Sequence, residues 1–314
     1  MKHLLSILLG ASLLAACSSD EGVAPADADG RVPLRIVAGI EPQVEGATRA
    51  VETAWEAGDA IGVYMTIHNL TTLFTSDNRE AKNLQYTFDD GTNYETSGNT
   101  YRLFTPQSGK MYLTEQSVDV YGYYPYDDAA DLDPTAIPVD VSVQTSQKAI
   151  DFMRARTGNV NNNNASIELM FYHRLTKLVF NLRQGEGLLE NELNDATYLG
   201  VTIDHQSVSA SYNIYSDAII VAPDNKVINT VRATAAPTGY VRTFEAIVLP
   251  NGPSNPATPR TVTITFYRKS DDTIVNTFTI PGDTYFNAGY KYVYNVTVNA
   301  TSIQVDTQKY TEQW

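Results

Sequence analysis

Apolar residues recur at every second position through most of this chain, and that period admits few folds. Ile61, Val63 and Met65 share one parity, and Val118, Val120 and Gly122 oppose Tyr121 and Tyr123. Val139, Val141 and Val143 repeat the pattern, and 201–204 and 209–215 read as strands on either side of a turn. Val262, Ile264 and Phe266 face away from Thr261, Thr263 and Thr265. After 269–272 the alternation returns in Ile274, Phe278 and Ile280, which predicts a hairpin. Tyr290, Tyr292, Tyr294, Val296 and Val298 share a face near the C-terminus. Period two places alternate side chains on opposite faces of a pleated strand. Only 149–155 reads as a helical turn. Many short strands parted by Gly, Pro, Asn and Asp predict an all-β fold of sandwich type.

One change of parity divides the chain. Ile167, Leu169 and Phe171 hold one parity, whereas Leu178, Phe180 and Leu182 hold the other. A strand cannot switch its buried face without an extra residue, so a bulge or bend is expected between His173 and Lys177. The polar run 161–164 just upstream reads as a loop, and the boundary between two sandwiches of comparable size is placed there: 51–165 and 166–314. A length of 314 residues suffices for two domains, and 43% hydrophobic content with 18% charge is that of a globular chain. The net charge of -14 excludes nucleic acid as a partner, because its phosphates would be repelled.

The N-terminus carries an address. Lys2 precedes an apolar run from Leu4 to Leu14, followed by Ala15, Ala16 and Cys17, the order of a secretory signal. The run is about half of the ~20 residues that span a bilayer. Leu14-Ala15-Ala16-Cys17 resembles the lipobox of bacterial lipoproteins, which implies that the Cys17 thiol is diacylated and becomes the first mature residue. Each buried methylene contributes ~0.8 kcal/mol, so acyl chains anchor a soluble domain. Cys17 is the only cysteine, so no disulfide or thiolate metal site remains, and the fold rests on its apolar core. After this leader, 1–17, the stretch 18–30 is small, acidic and unpatterned, a tether. Asp20-Glu21 resembles short signals that send lipoproteins to the outer face of the outer membrane; the plainer reading is a solvated linker. Within 18–50, Val32, Leu34 and Ile36 then alternate with Pro33, Arg35 and Val37, and the proline points to an edge strand.

A set of short segments carries a family resemblance. They are Thr48-Arg49-Ala50 with Trp55-Glu56-Ala57-Gly58-Asp59-Ala60-Ile61-Gly62-Val63-Tyr64, then Tyr123-Tyr124-Pro125-Tyr126. Gln144-Thr145 with Asp151-Phe152-Met153, Phe171-Tyr172-His173-Arg174-Leu175, Gly289-Tyr290-Lys291-Tyr292 and the terminal Trp314 follow. In this order behind a lipobox, they resemble the fimbrillin family (type V pilins) over nearly the whole mature chain. The pattern departs after Tyr94, where the family's aromatic signature is faint. The resemblance implies two tandem transthyretin-like (Greek-key) β-sandwich domains and a structural subunit of fimbriae, as stalk, anchor or tip. It also implies that a surface protease cuts after an arginine and frees an N-terminal strand. Another subunit's strand then fills the groove by β-augmentation.

On this chain the removable strand would carry Val32, Leu34 and Ile36. The cut would fall between Arg49 and Ala50, where Gly46 and Ala47 supply accessible backbone. Ile303 and Val305 would belong to the donor strand. The competing reading makes Arg49 an ordinary exposed arginine and 32–38 a permanent edge strand. Partners implied are other pilin subunits, the outer membrane through the lipid, and a host or bacterial surface ligand; no cofactor is implied.

Little in the chain suggests catalysis. His3 leaves with the leader; His68 reads as a loop residue, His205 as a turn residue, and His173 as a core residue hydrogen-bonded to backbone. There is no HExxH, phosphate loop or GxSxG, so an enzyme is not expected. Asp127, Asp128, Asp131 and Asp133 lack the glycine and terminal glutamate of an EF-hand and read as a solvated loop, not a metal site. The 20 tyrosines motivate an alternative, a surface glycan-binding lipoprotein, with Tyr124 and Tyr126 in loops converging on one surface. Tyrosine is equally a preferred strand residue.

Overall fold

A computed structural model of the chain describes residues 25–41, 54–96, 99–129, 132–188, 192–193, 199–224, 226–251, 262–268, 273–280, 285–306 and 310–313. Its first elements are β1 (Val32–Pro33), β2 (Arg35–Ile40), β3 (Ala60–Ile67), β4 (Thr75–Ser76), β5 (Arg79–Glu80) and β6 (Leu84–Thr96). Next come β7 (Asn99–Pro106), β8 (Tyr112–Leu113), β9 (Val118–Tyr124) and β10 (Ile137–Asp140). A single helical turn, α1 (Gln147–Ile150), precedes β11 (Met153–Val160) and β12 (Ser166–His173). The all-β expectation holds. In this half the hydrogen bonding runs on around the sheet and closes it in the order β11-β12-β2-β7-β6-β3-β9. Closure leaves no free edge in that ring. Ile36, Ile61, Val63, Met65, Phe104, Val120 and Leu169 fill its buried core.

The remaining strands are β13 (Thr176–Gln184), β14 (Leu199–Gln206), β15 (Ser209–Asn213), β16 (Ala218–Val221), β17 (Lys226–Asn229) and β18 (Val231–Arg232). They end with β19 (Arg242–Val248), β20 (Val262–Arg268), β21 (Thr273–Ile280), β22 (Tyr290–Val298), β23 (Ile303–Val305) and β24 (Tyr310–Gln313). One sheet runs β18-β19-β13-β22-β23, with β24 also on β22, and a second runs β17-β14-β20-β21. Leu178, Phe180, Val201, Ile203, Tyr292 and Val296 belong to one core. The hairpin expected around 269–272 is the antiparallel β20–β21 pair.

The parity change has a structural cause. The inward residues of β12 belong to the first core and those of β13 to the second. The chain therefore changes sheet systems at Arg174 and Leu175, between two strands. β12 is needed between β11 and β2 to close the ring, while β10 already pairs with β15 in a three-stranded sheet β10-β15-β16, so sheet membership draws no single line through the chain. Every residue of β9 is buried, since Tyr121 and Tyr123 pack outward into the second core with Tyr64 of β3. Alternation in β9 thus sorts side chains between two cores, not between core and water. Tyr123 lies so close over Gly62 that a Cβ there would stand 1.9 Å from its ring, so only glycine fits.

Two local expectations are corrected. The helical turn lies at Gln147–Ile150, not 149–155, because Met153 already pairs with both β9 and β12. His205 sits inside β14 with φ 58°, where the register against β17 shifts between Ile203 and Gln206, so it marks a bulge, not a turn.

Asp119 on β9 is 1% exposed and ties the loop after β3 and the irregular end of β11 to its own strand. Its carboxylate accepts from His68 Nδ1 (2.7 Å), the Asn69 amide (3.1 Å), the Asn159 amide (3.2 Å) and an Arg156 guanidinium nitrogen (3.2 Å). Burial pulls its pKa up, but these donors outweigh it and hold the carboxyl below its ordinary value of 3.8. A carboxyl depressed on folding stabilises above its ordinary range, and that contribution is lost as pH falls through the lowered folded value. Asp119→Asn should therefore flatten the acid limb of a plot of urea midpoint against pH. A limb parallel to that of the unaltered protein would assign the acid sensitivity to other groups.

Candidate strand-exchange site

Alternation in the N-terminal segment leads straight into the ring. Val32, Leu34, Ile36, Ala38 and Ile40 are all buried in the first core. β2 pairs in parallel with β12, where Ile36 opposes Ile167 and Ile40 opposes Phe171. On its other side it pairs antiparallel with β7, where Ile36 opposes Phe104. The edge position expected from Pro33 holds for β1, which among the described residues pairs with β8 alone, but is corrected for β2. Pro33 belongs to the two-residue β1 on β8, and Leu34, whose amide donates to the Met111 carbonyl (2.8 Å), separates it from β2. The missing proline N–H interrupts no pairing of the interior strand.

Both ends of this segment are fastened. Upstream, Arg31 pairs with Asp27 (2.8 Å) and with Asp77, and Asn162 donates to the Gly30 carbonyl (3.0 Å). Arg35 donates to Ser166 Oγ (3.0 Å) and the Glu41 amide to the Phe171 carbonyl (2.9 Å). Arg49 and Ala50, like Cys17, lie outside the described residues. Beyond them stands Trp55, whose indole N–H donates to the Ala38 carbonyl (3.0 Å). Its ring meets Phe104, Tyr124 and Phe171 edge-on at centroid distances of 5.1, 5.3 and 5.3 Å. Sequence reasoning gave Trp55 no role of its own; its only signal was a tryptophan placed shortly after the arginine.

Ile40 and Trp55 line one cavity of about 230 Å3 with Glu56, Asp59, Lys148 and Met153. Lys148 Nζ lies 2.6 Å from Glu56 Oε2 and 2.9 Å from Asp59 Oδ1. Burial lowers its pKa, but the two carboxylates outweigh that and raise it, so the ammonium stays charged.

The C-terminal segment is held differently. In β23, Ile303 opposes Val298 and Val305 opposes Val296, while β24 runs along the other end of β22. Ile303 and Val305 are half-buried against the second core. Among the described residues β23 therefore bonds to one neighbour at a sheet end, whereas β2 bonds to two and is buried from Ile36 to Ile40. Within one chain, Ile303 and Val305 do not meet Val32, Leu34 and Ile36, which belong to another sheet system.

Other candidates resolve into structural roles. His173 is buried with Nδ1 2.9 Å from Asp151 Oδ1, so a side chain and not only backbone partners it. Asp127 and Asp133 accept the amides of Ala129 (2.9 Å) and Thr135 (2.8 Å), which shapes their loops; Asp131 is outside the described residues. Among the described residues, no three His, Cys, Asp or Glu are grouped to hold a metal. Tyr124 is not a loop residue: it ends β9, buried against Trp55.

A family model described as fimbrillin-like matches residues 48–314. A Bacteroides uniformis protein described as a candidate fimbrium subunit, Fim1C, is 30% identical over a 332-residue alignment, covering 99% of this chain and 94% of its own length. The crystal structure of a candidate cell adhesion protein from Bacteroides uniformis superposes with a TM-score of 0.64 at 26% identity, covering 92% of this chain and 99% of that one. A candidate cell adhesion protein from Bacteroides ovatus shares the fold at 21% identity and a TM-score of 0.63, over 90% and 98% of the two chains. With the family match reaching from the segment ahead of Trp55 to the last residue, this chain belongs to the fimbrillin-like family.

Proposed function

We propose that this chain is a structural subunit of surface fimbriae, exported as an outer-membrane lipoprotein on Cys17 and assembled by exchange of its N-terminal strand. The reading rests above all on β2, an N-terminal strand that completes a ring and is followed, within one short connection, by Arg49. Hydrolysis of the Arg49–Ala50 peptide bond would cut the covalent link between β1–β2 and the strands that follow, leaving β2 held in the ring by packing and pairing alone. Val32, Leu34, Ile36 and Ile40 are buried there, and at ~1.5–3 kcal/mol each they contribute ~6–12 kcal/mol. That matches the whole stability of a domain, ~5–15 kcal/mol. An emptied groove therefore cannot persist; it must be refilled as it is vacated. The segment of a second copy around Ile303 and Val305, bonded on one side only, is the candidate replacement. Its partners are then other pilin subunits and, through the lipid, the membrane, and its task is mechanical, not catalytic.

The test is the N-terminus of the assembled protein. Mass spectrometry should find Ala50 first in polymer and lipidated Cys17 first in uncut monomer. Arg49→Ala should reach the surface, stay full length below the lipid and be absent from heat-stable polymers. Normal polymers of that variant would remove Arg49 from assembly.

A further inference from the structure

Tyr126 stands between two concavities. On one side is a cleft of about 540 Å3, shared with Gln85, Asp127, Asp128 and Asp140. On the other is one of about 440 Å3, shared with Asp59, Ser146 and Lys148. The larger has the size of ordinary small-ligand sites, ~300–1,000 Å3. We propose that this trough binds a neutral oligosaccharide, with Tyr126 as the central stacking platform and the carboxylates and amide beside it holding the hydroxyls.

Two observations make Tyr126 a platform. The Tyr126 ring is half-buried, so it is fixed by packing yet open on part of its surface. Aromatic faces pack on the axial C–H groups of a pyranose ring and bury apolar area there. The platform is also set in advance. The Tyr126 amide donates to the Ala60 carbonyl (3.0 Å) and the Asp127 amide to the buried Tyr123 hydroxyl (3.1 Å), while Asn83 Nδ2 donates to the Asp127 carbonyl (2.8 Å). A preformed loop spends little binding energy on ordering.

The polar chemistry selects the ligand class. Asp127 and Asp140 each use one carboxylate oxygen on a loop amide, of Ala129 and Ser142, which leaves each a second acceptor oxygen. Carboxylates accept from neighbouring hydroxyls and repel phosphate, sulfate and uronate, so anionic glycans are disfavoured. Ser146 and the Lys148 ammonium add donors on the far side of Tyr126. Such a mixture suits hydroxyls, which both donate and accept, better than a basic peptide, which wants acceptors alone.

Calorimetry on the uncut monomer, with cellotetraose, maltotetraose, mannotetraose, triacetylchitotriose, a heparin fragment and tetralysine as probes, tests this apart from assembly. At least one neutral saccharide should bind, and heparin should not. Tyr126→Ala should weaken that binding by about tenfold, which is the scale of a lost stacking contact. Tyr126→Phe should stay within about threefold, because the ring is kept. Asp128→Asn, which leaves the loop amides paired, should weaken it without altering the circular dichroism. Binding unmoved by Tyr126→Ala, or absence of any neutral-saccharide binding in a folded protein, overturns the proposal. Tetralysine binding alone would also overturn it and make the trough a cation site. None of these results depends on strand exchange.

Discussion

A chain begun at residue 51, without β1 and β2, will not fold into a soluble monomer. The ring then lacks the strand between β12 and β7, and Ile167, Leu169, Phe171 and Phe104 lose their cover. Four large apolar side chains leave with the deleted segment, a loss of ~6–12 kcal/mol before the unpaired backbone groups of two neighbours are counted. Near-ultraviolet circular dichroism and a urea titration should show no cooperative transition of the first unit, or else polymer formed through the tails of other copies. A synthetic peptide of residues 30–41 supplied in excess should restore soluble monomer, and one of residues 299–314 should do so if that segment is the donor. A truncated chain that stays monomeric and melts like the intact protein would show β2 to be dispensable, and strand exchange would lose its driving force. Rescue by the first peptide but not the second would keep the groove and reject the donor.

Trp55→Ala should give the largest loss of any single substitution beside the groove, ~3–5 kcal/mol, the range for emptying a buried large aromatic site. The indole touches three rings from three strands and bonds the Ala38 carbonyl, so its loss loosens β2 without altering β2 itself. Trp55→Phe keeps much of the packing and forfeits the N–H donor, which should cost ~1–3 kcal/mol. Urea midpoints of the uncut monomer measure both. Because Trp55 lies after Arg49, it stays with the subunit when the strand leaves. The incoming strand must therefore present a carbonyl near the place of Ala38, which makes the indole a register mark. If Trp55→Ala unfolds within about 0.5 kcal/mol of the unaltered protein, the size of an ordinary surface change, the indole is no fastening.

What the sequence determined here is the set of strands and their faces. Period two alone located β3, β9, β14, the β20–β21 hairpin and β22, and it assigned Val32, Leu34 and Ile36 to one buried face. It also registered the hand-over between sheet systems, as a change of parity after His173. A period reports which way a side chain points relative to its own backbone, and that is a local property. Which strand lies beside which is not local. β2 pairs with a strand 131 residues away, so the edge that Pro33 marks in β1 could not show that the next strand is interior. Only the packed second unit explains why both faces of β9 are buried, since water on one side would have left the same alternation. Tyr126 was legible as a loop aromatic, but the place of Trp55 and the other walls of the trough around Tyr126 were beyond the reach of pattern for the same reason. Each is assembled from segments distant in sequence, brought together because closing the ring and covering its outer face bury apolar surface no single strand can bury.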